Sequence, residues 1–266
     1  MRPLTDLPRA VAAGLHTVFS DIDDTLTTDG RLTPEAYAAM DDLQRAALRV
    51  ILITGRPAGW CDHIARMWPV DGVIGENGAF YCWHDPFERK LRCRHLLDAG
   101  QRAAHAAQLA RVRDTILREV PGCAVASDQF CRLYDLAIDF CEDVPALPGE
   151  AVDRIVTLME SAGMTAKVSS IHVNGWFGRY DKLSMAHLMM RERYGLELAA
   201  ERARCLFVGD SPNDAPMFAY LPHAVGVANV RDLADRMDAV PAYVTPSRGG
   251  AGFAELARAL LAARAR

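Results

Sequence analysis

Short apolar runs alternate with amphipathic stretches at both ends of the chain. In the N-terminal part these runs are residues 16–20, 48–54 ("LRVILIT") and 70–79 ("VDGVIGENGA"). In the C-terminal part they are residues 203–210, 223–229 and 242–245. Each is too short for a helix, and uninterrupted apolar strands alternating with helices are typical of a parallel sheet covered on both faces. The pattern therefore predicts an α/β fold with a central parallel sheet.

The stretches between these runs predict the helices and one hairpin. "TTDG" at 27–30 predicts a tight hairpin flap, because Asp-Gly favours a two-residue turn. The next helix is expected to begin at Thr33, with Pro34 in its first turn. Further helices are predicted at 213–221 and 230–237, and a closing helix from about Gly250.

The middle of the chain has a different order of elements. A long helix at about 98–119 is followed by strand-like "CAVAS" and "YDLAIDF", a second helix at about 149–162, and two more strands in "MTAKVSS" and "IHVNGW". Helix, two strands, helix, two strands is a compact α+β unit. We therefore predict a core formed by residues 1–84 and 180–266, interrupted by an inserted α+β domain at 85–179.

Composition narrows the class of protein. The 266 residues are half hydrophobic and 24% charged, and the net charge of −4 implies no general attraction to nucleic acid or to an anionic membrane. The sequence shows neither a signal peptide nor an apolar stretch of transmembrane length. Seven cysteines without a CxxC pair fit a reduced compartment better than a disulfide framework. These features predict a cytoplasmic protein.

Two Cys-x-His pairs leave an alternative open. Cys82 and His84, and Cys93 and His95, lie on segments that can form a hairpin through "DPFERK". Alternation would place each pair on one face, which would suit a zinc site. Because the spacing is not a familiar finger spacing, simple burial of the cysteines is the favoured interpretation.

The strand ends carry the candidate chemistry. Asp21 and Asp23 follow a buried strand and must lie at its carboxyl end, because their burial within the strand would cost too much. Carboxylates held so close require a cation, and oxygen ligands suit Mg²⁺. Asp210 and Asp214 follow another apolar strand, and Thr54 and Gly55 a third. Together with Lys182 they are the groups that a phosphoryl group requires.

These segments resemble the four motifs of the haloacid dehalogenase superfamily. The motifs are "DIDDTL" at 21–26, "TGR" at 54–56, Lys182, and "GDSPND" at 209–214. The order of elements in the insertion resembles the type IIB cap, and "GENGA" at 75–79 and Met217 also match that branch. The resemblance implies a Rossmann-like core with an inserted cap domain. The commoner first motif has Gly where this chain has Asp24, which affects only the detail of the flap.

The resemblance also implies roles for the matching residues. Asp21 would be the nucleophile that forms an aspartyl-phosphate, and Asp23 the general acid and base. Mg²⁺ would be held by the Asp21 carboxylate, the Asp23 carbonyl and Asp210, with Asp214 in support. The residues implied for phosphate or substrate binding are Thr54, Gly55, Arg56, Asn77, Lys182 and Asn213. For Arg56, pairing with an acid is an equal alternative, and Asn77 could instead brace a turn.

Substrate choice is expected to lie with the cap, because the core contacts mainly phosphate and metal. The candidate cap contacts are His172, Asn174, Trp176 and Arg179. For Trp176, packing at the domain junction is favoured over stacking on a sugar.

The resulting hypothesis is a Mg²⁺-dependent phosphatase that acts on a small phosphorylated metabolite, most simply a sugar phosphate. A phosphomutase of the phosphomannomutase kind needs the same intermediate and is the nearest alternative. A noncatalytic phosphometabolite sensor is a third.

Overall fold

A computed structural model describes residues 1–169 and 171–265. The strands are β1 Arg2–Pro3, β2 Thr17–Ser20, β3 Thr27–Thr28, β4 Arg31–Leu32, β5 Arg49–Ile53, β6 Gly72–Gly75, β7 Phe80–Asp85, β8 Lys90–His95, β9 Ala124–Val125, β10 Asp135–Asp139, β11 Thr165–Val168, β12 His172–Trp176, β13 Cys205–Gly209, β14 Val225–Gly226 and β15 Tyr243–Val244. The helices are α1 Arg9–Gly14, α2 Pro34–Arg45, α3 Ala58–Met67, α4 Ala99–Glu119, α5 Gly149–Ser161, α6 Lys182–Tyr194, α7 Leu198–Glu201, α8 Ala215–Tyr220 and α9 Gly249–Arg264.

The larger sheet has nine strands in the order β1-β15-β14-β13-β2-β5-β6-β7-β8. The first seven strands in this order pair in parallel, and the last two, β7 and β8, extend the sheet as an antiparallel hairpin. Every residue of β2, β6 and β13 is buried. The predicted α/β fold with a central parallel sheet is confirmed.

Two apolar layers explain why the central strands read as uninterrupted apolar runs. Along β5, Val50 and Leu52 pack into one hydrophobic cluster, which also contains Phe253 of α9. Ile51 and Ile53 pack into a second cluster on the opposite face, where α6 and α8 lie. Because successive side chains of a strand point to opposite faces, both sets must be apolar when helices cover both sides.

The inserted unit forms its own antiparallel sheet in the order β11-β12-β10-β9. Helices α4 and α5 contribute Ile116, Ile155 and Met159 to the hydrophobic cluster that this sheet buries, together with Leu136 and Ile138 of β10. Helix, two strands, helix, two strands is the predicted order. We call this unit the cap.

The hairpin β7–β8 corrects the interpretation of the cysteines. Cys82 lies opposite Cys93 and forms a disulfide bond with it, whereas His84 pairs with Leu91 and His95 with Phe80. The two cysteines therefore bond to each other rather than to zinc, and the expectation of a chain without disulfides is wrong at this pair. Because β8 belongs to the larger sheet, we propose that the cap begins near residue 97 rather than at 85.

Local elements follow their sequence signals, with two differences in helix type. Asp29 and Gly30 both have positive φ, as the β3–β4 hairpin turn requires, and the Thr33 side chain accepts a hydrogen bond from the Ala36 N–H at the start of α2. Residues 230–236 of the helix predicted at 230–237 lie in a 3-10 helix, Ala228–Arg236, and the helix predicted at 213–221 starts in a 3-10 turn, Pro212–Asp214, before α8. None of the helices in the described chain has the length and apolar character needed to span a bilayer.

Candidate active site

Three neighbouring parallel strands deliver their carboxyl ends to one place. Strands β13, β2 and β5 are adjacent in the sheet, and Asp210, Asp21 and Thr54 are the residues that follow them. Open α/β sheets bind ligands in the crevice at this edge. The structure therefore brings together the three motifs that the sequence placed at strand ends.

A buried lysine lies between two of the carboxylates. The Nζ of Lys182, the first residue of α6, lies 2.6 Å from Asp21 Oδ1 and 2.7 Å from Asp214 Oδ1. Burial acts to lower the pKa of Lys182, but the two carboxylates raise it above its ordinary value. Lys182 is 2% exposed, so its charge is enclosed by protein and directed at Asp21. Lys182 is thus a fixed cation between the carboxylates of Asp21 and Asp214.

Three buried carboxylates form a cluster that could hold a cation. Oxygens of Asp21, Asp210 and Asp214 all lie within 4.8 Å of one another. Burial raises the pKa of Asp21 and of Asp210 well above the usual range, and the neighbouring acids add to this rise, while the charge of Lys182 opposes it at Asp21. Such a concentration of acids is stabilised by positive charge, and oxygen donors suit a hard divalent cation. The chemistry of these donors therefore fits a metal of the Mg²⁺ type.

The loop after β13 fixes the orientation of the two acids it carries. Asp214 Oδ2 accepts hydrogen bonds from the N–H groups of Asp210 (3.0 Å) and Ser211 (3.3 Å). Asp210 in turn accepts from the Thr25 hydroxyl (3.0 Å) and the Asn229 amide (3.1 Å). Since both oxygens of Asp214 are engaged, this residue is placed to hold Lys182 and the loop.

Arg56 pairs with Asp23 and also reaches the cap. Its Nε donates to both carboxylate oxygens of Asp23, at 2.9 and 3.1 Å. Its terminal nitrogens contact Asp128 at 3.3 Å and Glu142 at 2.8 Å, both of which belong to the cap. Arg56 therefore pairs with acids, which was one of its two predicted alternatives, and it contacts three of them.

The cap supplies charged residues that sequence reasoning missed. Arg132 is buried and donates to Asp128 (3.0 Å), Asp135 (3.0 Å) and the main-chain carbonyl of Gly55 (2.8 Å). The signal available in the sequence was Asp135 and Asp139 at the two ends of an otherwise apolar strand, and it did not reveal their partners. Arg132 could be identified only once the cap was folded against the core.

His172 and Asn174 lie on the cap strand β12 and face these charges. His172 Nε2 is 2.8 Å from Glu142, and the Asn174 amide donates to Asp135 at 3.1 Å. Hydrogen bonding to His172, opposed by burial and reinforced by Arg56, lowers the pKa of Glu142 to about 2. Both predicted cap residues therefore lie beside the site and belong to its charged network.

Glu76 and Asn77 form the turn between β6 and β7. The fully buried Glu76 carboxylate accepts hydrogen bonds from main-chain N–H groups of α3 and of the cap segment 133–135. Asn77 has φ of 53° and lies against Gly55, where a Cβ would meet its amide at 3.2 Å. Within the described chain, neither polar atom of the buried Asn77 side chain has a hydrogen-bond partner. The amide is thus available to a ligand.

The remaining predicted residues occupy different settings. Thr54 is buried and its Oγ1 accepts from the Arg56 N–H at 2.9 Å, while Asn213 accepts from the Ser211 hydroxyl at 2.8 Å. Trp176 is 1% exposed and stacks on Tyr180, and Arg179 is exposed. Neither of these two residues lines the cavity beside Asp21.

The backbone conformation of Asp24 explains how the first motif can have Asp where Gly is commoner. Its φ of 54° lies in the left-handed region that favours glycine, and its N–H donates to Thr27 Oγ1 at 2.9 Å. Asp tolerates this conformation better than most residues. The flap geometry is therefore kept without glycine.

The cavity beside Asp21 is small because the cap lies over it. Its volume is about 20 Å³, and Asp21, Asp23, Arg56, Arg132, His172 and Asn213 are among its lining residues. A space of this size holds about one water molecule. A larger cavity of about 660 Å³ lies between the flap and helix α5, and Ser169 lines both cavities.

Comparisons with known proteins agree with this arrangement. Residues 18–104 match the family of haloacid dehalogenase-like hydrolases. A search of curated proteins found no match. Among solved structures, a HAD/COF-like hydrolase from Plasmodium vivax is 16% identical with a TM-score of 0.68, over 96% of this chain and 99% of that chain.

Two further solved structures carry sugar-phosphatase names. The subclass IIB sugar phosphatase BT4131 is 14% identical with a TM-score of 0.59, covering 87% of this chain and 94% of that one. The sucrose-phosphatase from Synechocystis, solved with sucrose and phosphate, is 16% identical with a TM-score of 0.62, over 92% and 97%. The predicted resemblance and the core-plus-cap fold are confirmed.

Proposed function

We propose that this chain, a haloacid dehalogenase-like hydrolase, is a Mg²⁺-dependent phosphoric monoester hydrolase acting through an aspartyl-phosphate. The observation that carries the proposal is the buried contact of Lys182 with Asp21 at 2.6 Å, at the edge where three strand ends meet. A carboxylate nucleophile and a fixed cation beside it are the groups that phosphoryl transfer to an enzyme side chain needs.

The proposed reaction has two steps, which use Asp21 and Asp23. A carboxylate oxygen of Asp21 attacks phosphorus, the bond from phosphorus to the ester oxygen breaks, and Asp23 gives its proton to the departing alcohol. In the second step Asp23 takes a proton from water, which attacks the aspartyl-phosphate and releases inorganic phosphate. Arg56 holds the Asp23 carboxylate by two contacts from Nε and so orients it. Thr54, the Gly55 N–H, Lys182 and Asn213 would hold the phosphoryl oxygens.

A divalent cation would be held by Asp21, Asp210 and the main-chain carbonyl of Asp23. When bound, it would offset the negative charge of the carboxylates and of the phosphoryl group. The support for this set is the buried cluster of acids and the hydrogen bonds that orient Asp210.

A sugar phosphate is the substrate class we propose. Two proteins with the same fold are named as a sugar phosphatase and a sucrose-phosphatase. The cavity of about 20 Å³ is too small for any sugar, so the cap must open to admit substrate and to release product. A closing cap also excludes large phosphoproteins.

The test is phosphate release from a panel of sugar phosphates and nucleotides, with Mg²⁺ or with EDTA. We expect Mg²⁺-dependent release by the unaltered protein, and a loss of at least about a thousandfold in Asp21→Asn. Asp114→Asn, which alters an exposed acid of α4, is the matched control and should retain activity. Isomerisation primed by a bisphosphate, without net phosphate release, would favour a mutase. Binding of phosphate esters without turnover would favour a sensor.

The cytoplasm is the compartment we propose from composition, and the Cys82–Cys93 disulfide is the observation that tests it. Disulfides are rare in reduced compartments. Recovery of the protein from the cytoplasm with both thiols free would support this compartment, whereas an oxidised pair in freshly quenched cells would oppose it.

A further inference from the structure

The leaving-group side of the site is a charged network shared by core and cap. If Asp23 gives a proton to the departing alcohol, that alcohol must lie beside Asp23 and therefore beside Arg56. The groups that surround this place come from the core (Asp23, Arg56) and from the cap (Asp128, Arg132, Asp135, Glu142). We call them the Arg56 network.

Both guanidinium groups of the network already have acidic partners. Arg56 contacts Asp23, Asp128 and Glu142, and Arg132 contacts Asp128 and Asp135. Arg56 and Arg132 are both buried, so water cannot take over the role of these partners. A second phosphate or carboxylate on a substrate would have to compete with acids that are held in place.

The Arg56 network contains more carboxylates than guanidinium groups. Even without Asp135 it has three carboxylates, those of Asp23, Asp128 and Glu142, against two guanidinium groups. Hydrogen bonding to His172 and to Arg56 lowers the pKa of Glu142 to about 2, so this acid is ionised at neutral pH. An anion that displaced Glu142 from Arg56 would lie next to the Glu142 carboxylate, which would keep only His172 as a partner. Repulsion between two like charges held this close is strongly unfavourable, and water and salt reduce it by screening.

We infer that the Arg56 network restricts this enzyme to phosphate esters whose leaving group carries no negative charge, and that Glu142 is a specificity-determining residue. The inference rests on the proposed function for the position of the leaving group. The inference deepens the proposed function, because the enzyme would reject bisphosphates and phosphate esters of hydroxy acids and accept phosphate esters of neutral polyols. A mutase would have to accommodate a bisphosphate in the same place, so the network also opposes the mutase alternative.

The experiment uses two pairs of esters that differ mainly by one carboxylate. These are glycerol 3-phosphate with 3-phosphoglycerate, and glucose 6-phosphate with 6-phosphogluconate. For whichever pair is hydrolysed, kcat/KM should favour the neutral ester by about tenfold or more, the order expected for one partly screened like charge. In Glu142→Gln that preference should fall about tenfold, because Arg56 loses one acid and can accept the substrate carboxylate.

A matched control and a second readout separate this inference from the proposed function. Glu160→Gln removes the same charge from an exposed position of α5 and should keep the preference of the unaltered protein. Calorimetric binding of each pair to Asp21→Asn, with Mg²⁺, measures the preference without turnover. Weaker binding of the carboxylate ester there supports the inference even if no ester is hydrolysed. Equal or tighter binding of that ester, or an unchanged preference in Glu142→Gln, overturns it.

Discussion

Removing the charge of Lys182 should cost stability as well as activity, and most when no metal is present. Replacing Lys182 by Met keeps a long side chain in the space that Nζ and its stem now fill. It leaves Asp21, Asp210 and Asp214 as a buried cluster of acids with no side-chain cation in direct contact with Asp21 or Asp214 among the described residues.

The size of the effect follows from the two contacts. At 2.6 and 2.7 Å, each attraction is worth about 6 kcal/mol with an effective dielectric constant of 20. Most of this is offset by the cost of taking the lysine charge out of water. Removing one partner of a buried ion pair typically costs about 3–5 kcal/mol. We expect about 3 kcal/mol, because the uncompensated acids can take up protons.

The assay is urea unfolding at pH 7.5, in EDTA and in Mg²⁺. Lys167→Met, which removes the same charge from an exposed position of β11, is the matched control and should change the free energy of unfolding by less than about 0.5 kcal/mol. Mg²⁺ should stabilise Lys182→Met more than the unaltered protein, because the cation replaces the lost charge. If Lys182→Met in EDTA were as stable as Lys167→Met, the electrostatic account of the cluster would be refuted.

Three further predictions concern the turn, the cap and the hairpin. Glu76→Ala leaves the buried main-chain N–H groups of Tyr134 and Asp135, and the partly buried one of Ala58, without an acceptor. The free energy of unfolding should therefore fall by at least about 3 kcal/mol in urea, and a loss below about 1 kcal/mol would contradict this. His172 and Arg56 lower the pKa of Glu142 to about 2, so the Glu142 carboxylate contributes stability that is present above about pH 4.5 and lost as the pH falls toward 2. The free energy of unfolding of Glu142→Gln should therefore depend less on pH across that range. A pH dependence parallel to that of the unaltered protein would count against this reasoning. Alkylation and mass spectrometry of the denatured, unreduced protein should leave only Cys82 and Cys93 unmodified, and labelling of all seven cysteines would show that the disulfide is absent.

The fold could be predicted because its signals are local or periodic. The apolar runs at β2, β5, β6 and β13 are buried on both faces, and that burial is what an uninterrupted apolar pattern indicates. The 3-10 segment that starts at Ala228 was harder to predict, because an amphipathic pattern over eight residues fits more than one kind of helical turn.

The core of the site could be predicted because strand ends identify it. Asp21, Thr54 and Asp210 each follow an apolar strand, and the adjacency of those strands follows from the fold. The disulfide was missed for the opposite reason. The hairpin that contains Cys82 and Cys93 was predicted correctly, but the sequence does not determine the pairing register of its strands. A shift of one position would have separated the two thiols.

The charged seam between core and cap could not be predicted, because each contact joins segments that are far apart in the sequence. Arg56 and Glu142 are separated by 86 positions, and Glu76 and Tyr134 by 58. An acidic residue in an exposed loop and an acidic residue that closes over an active site look the same in one sequence. Only the docking of the cap distinguishes them.

The charged part of this seam agrees with the opening that the proposed function requires, and it lies beside an apolar part in which Tyr134 and Trp176 of the cap pack into the hydrophobic cluster of the core. An apolar seam would expose a hydrophobic face each time the cap moved, at a cost of roughly 25 cal/mol per Å². The Arg56 network instead presents charged groups, which water solvates well when the two surfaces part. Interfaces between domains that move are more polar than permanent ones. The charges that select the leaving group are therefore also the groups that allow the cap to separate from the core, so specificity and access depend on the same side chains.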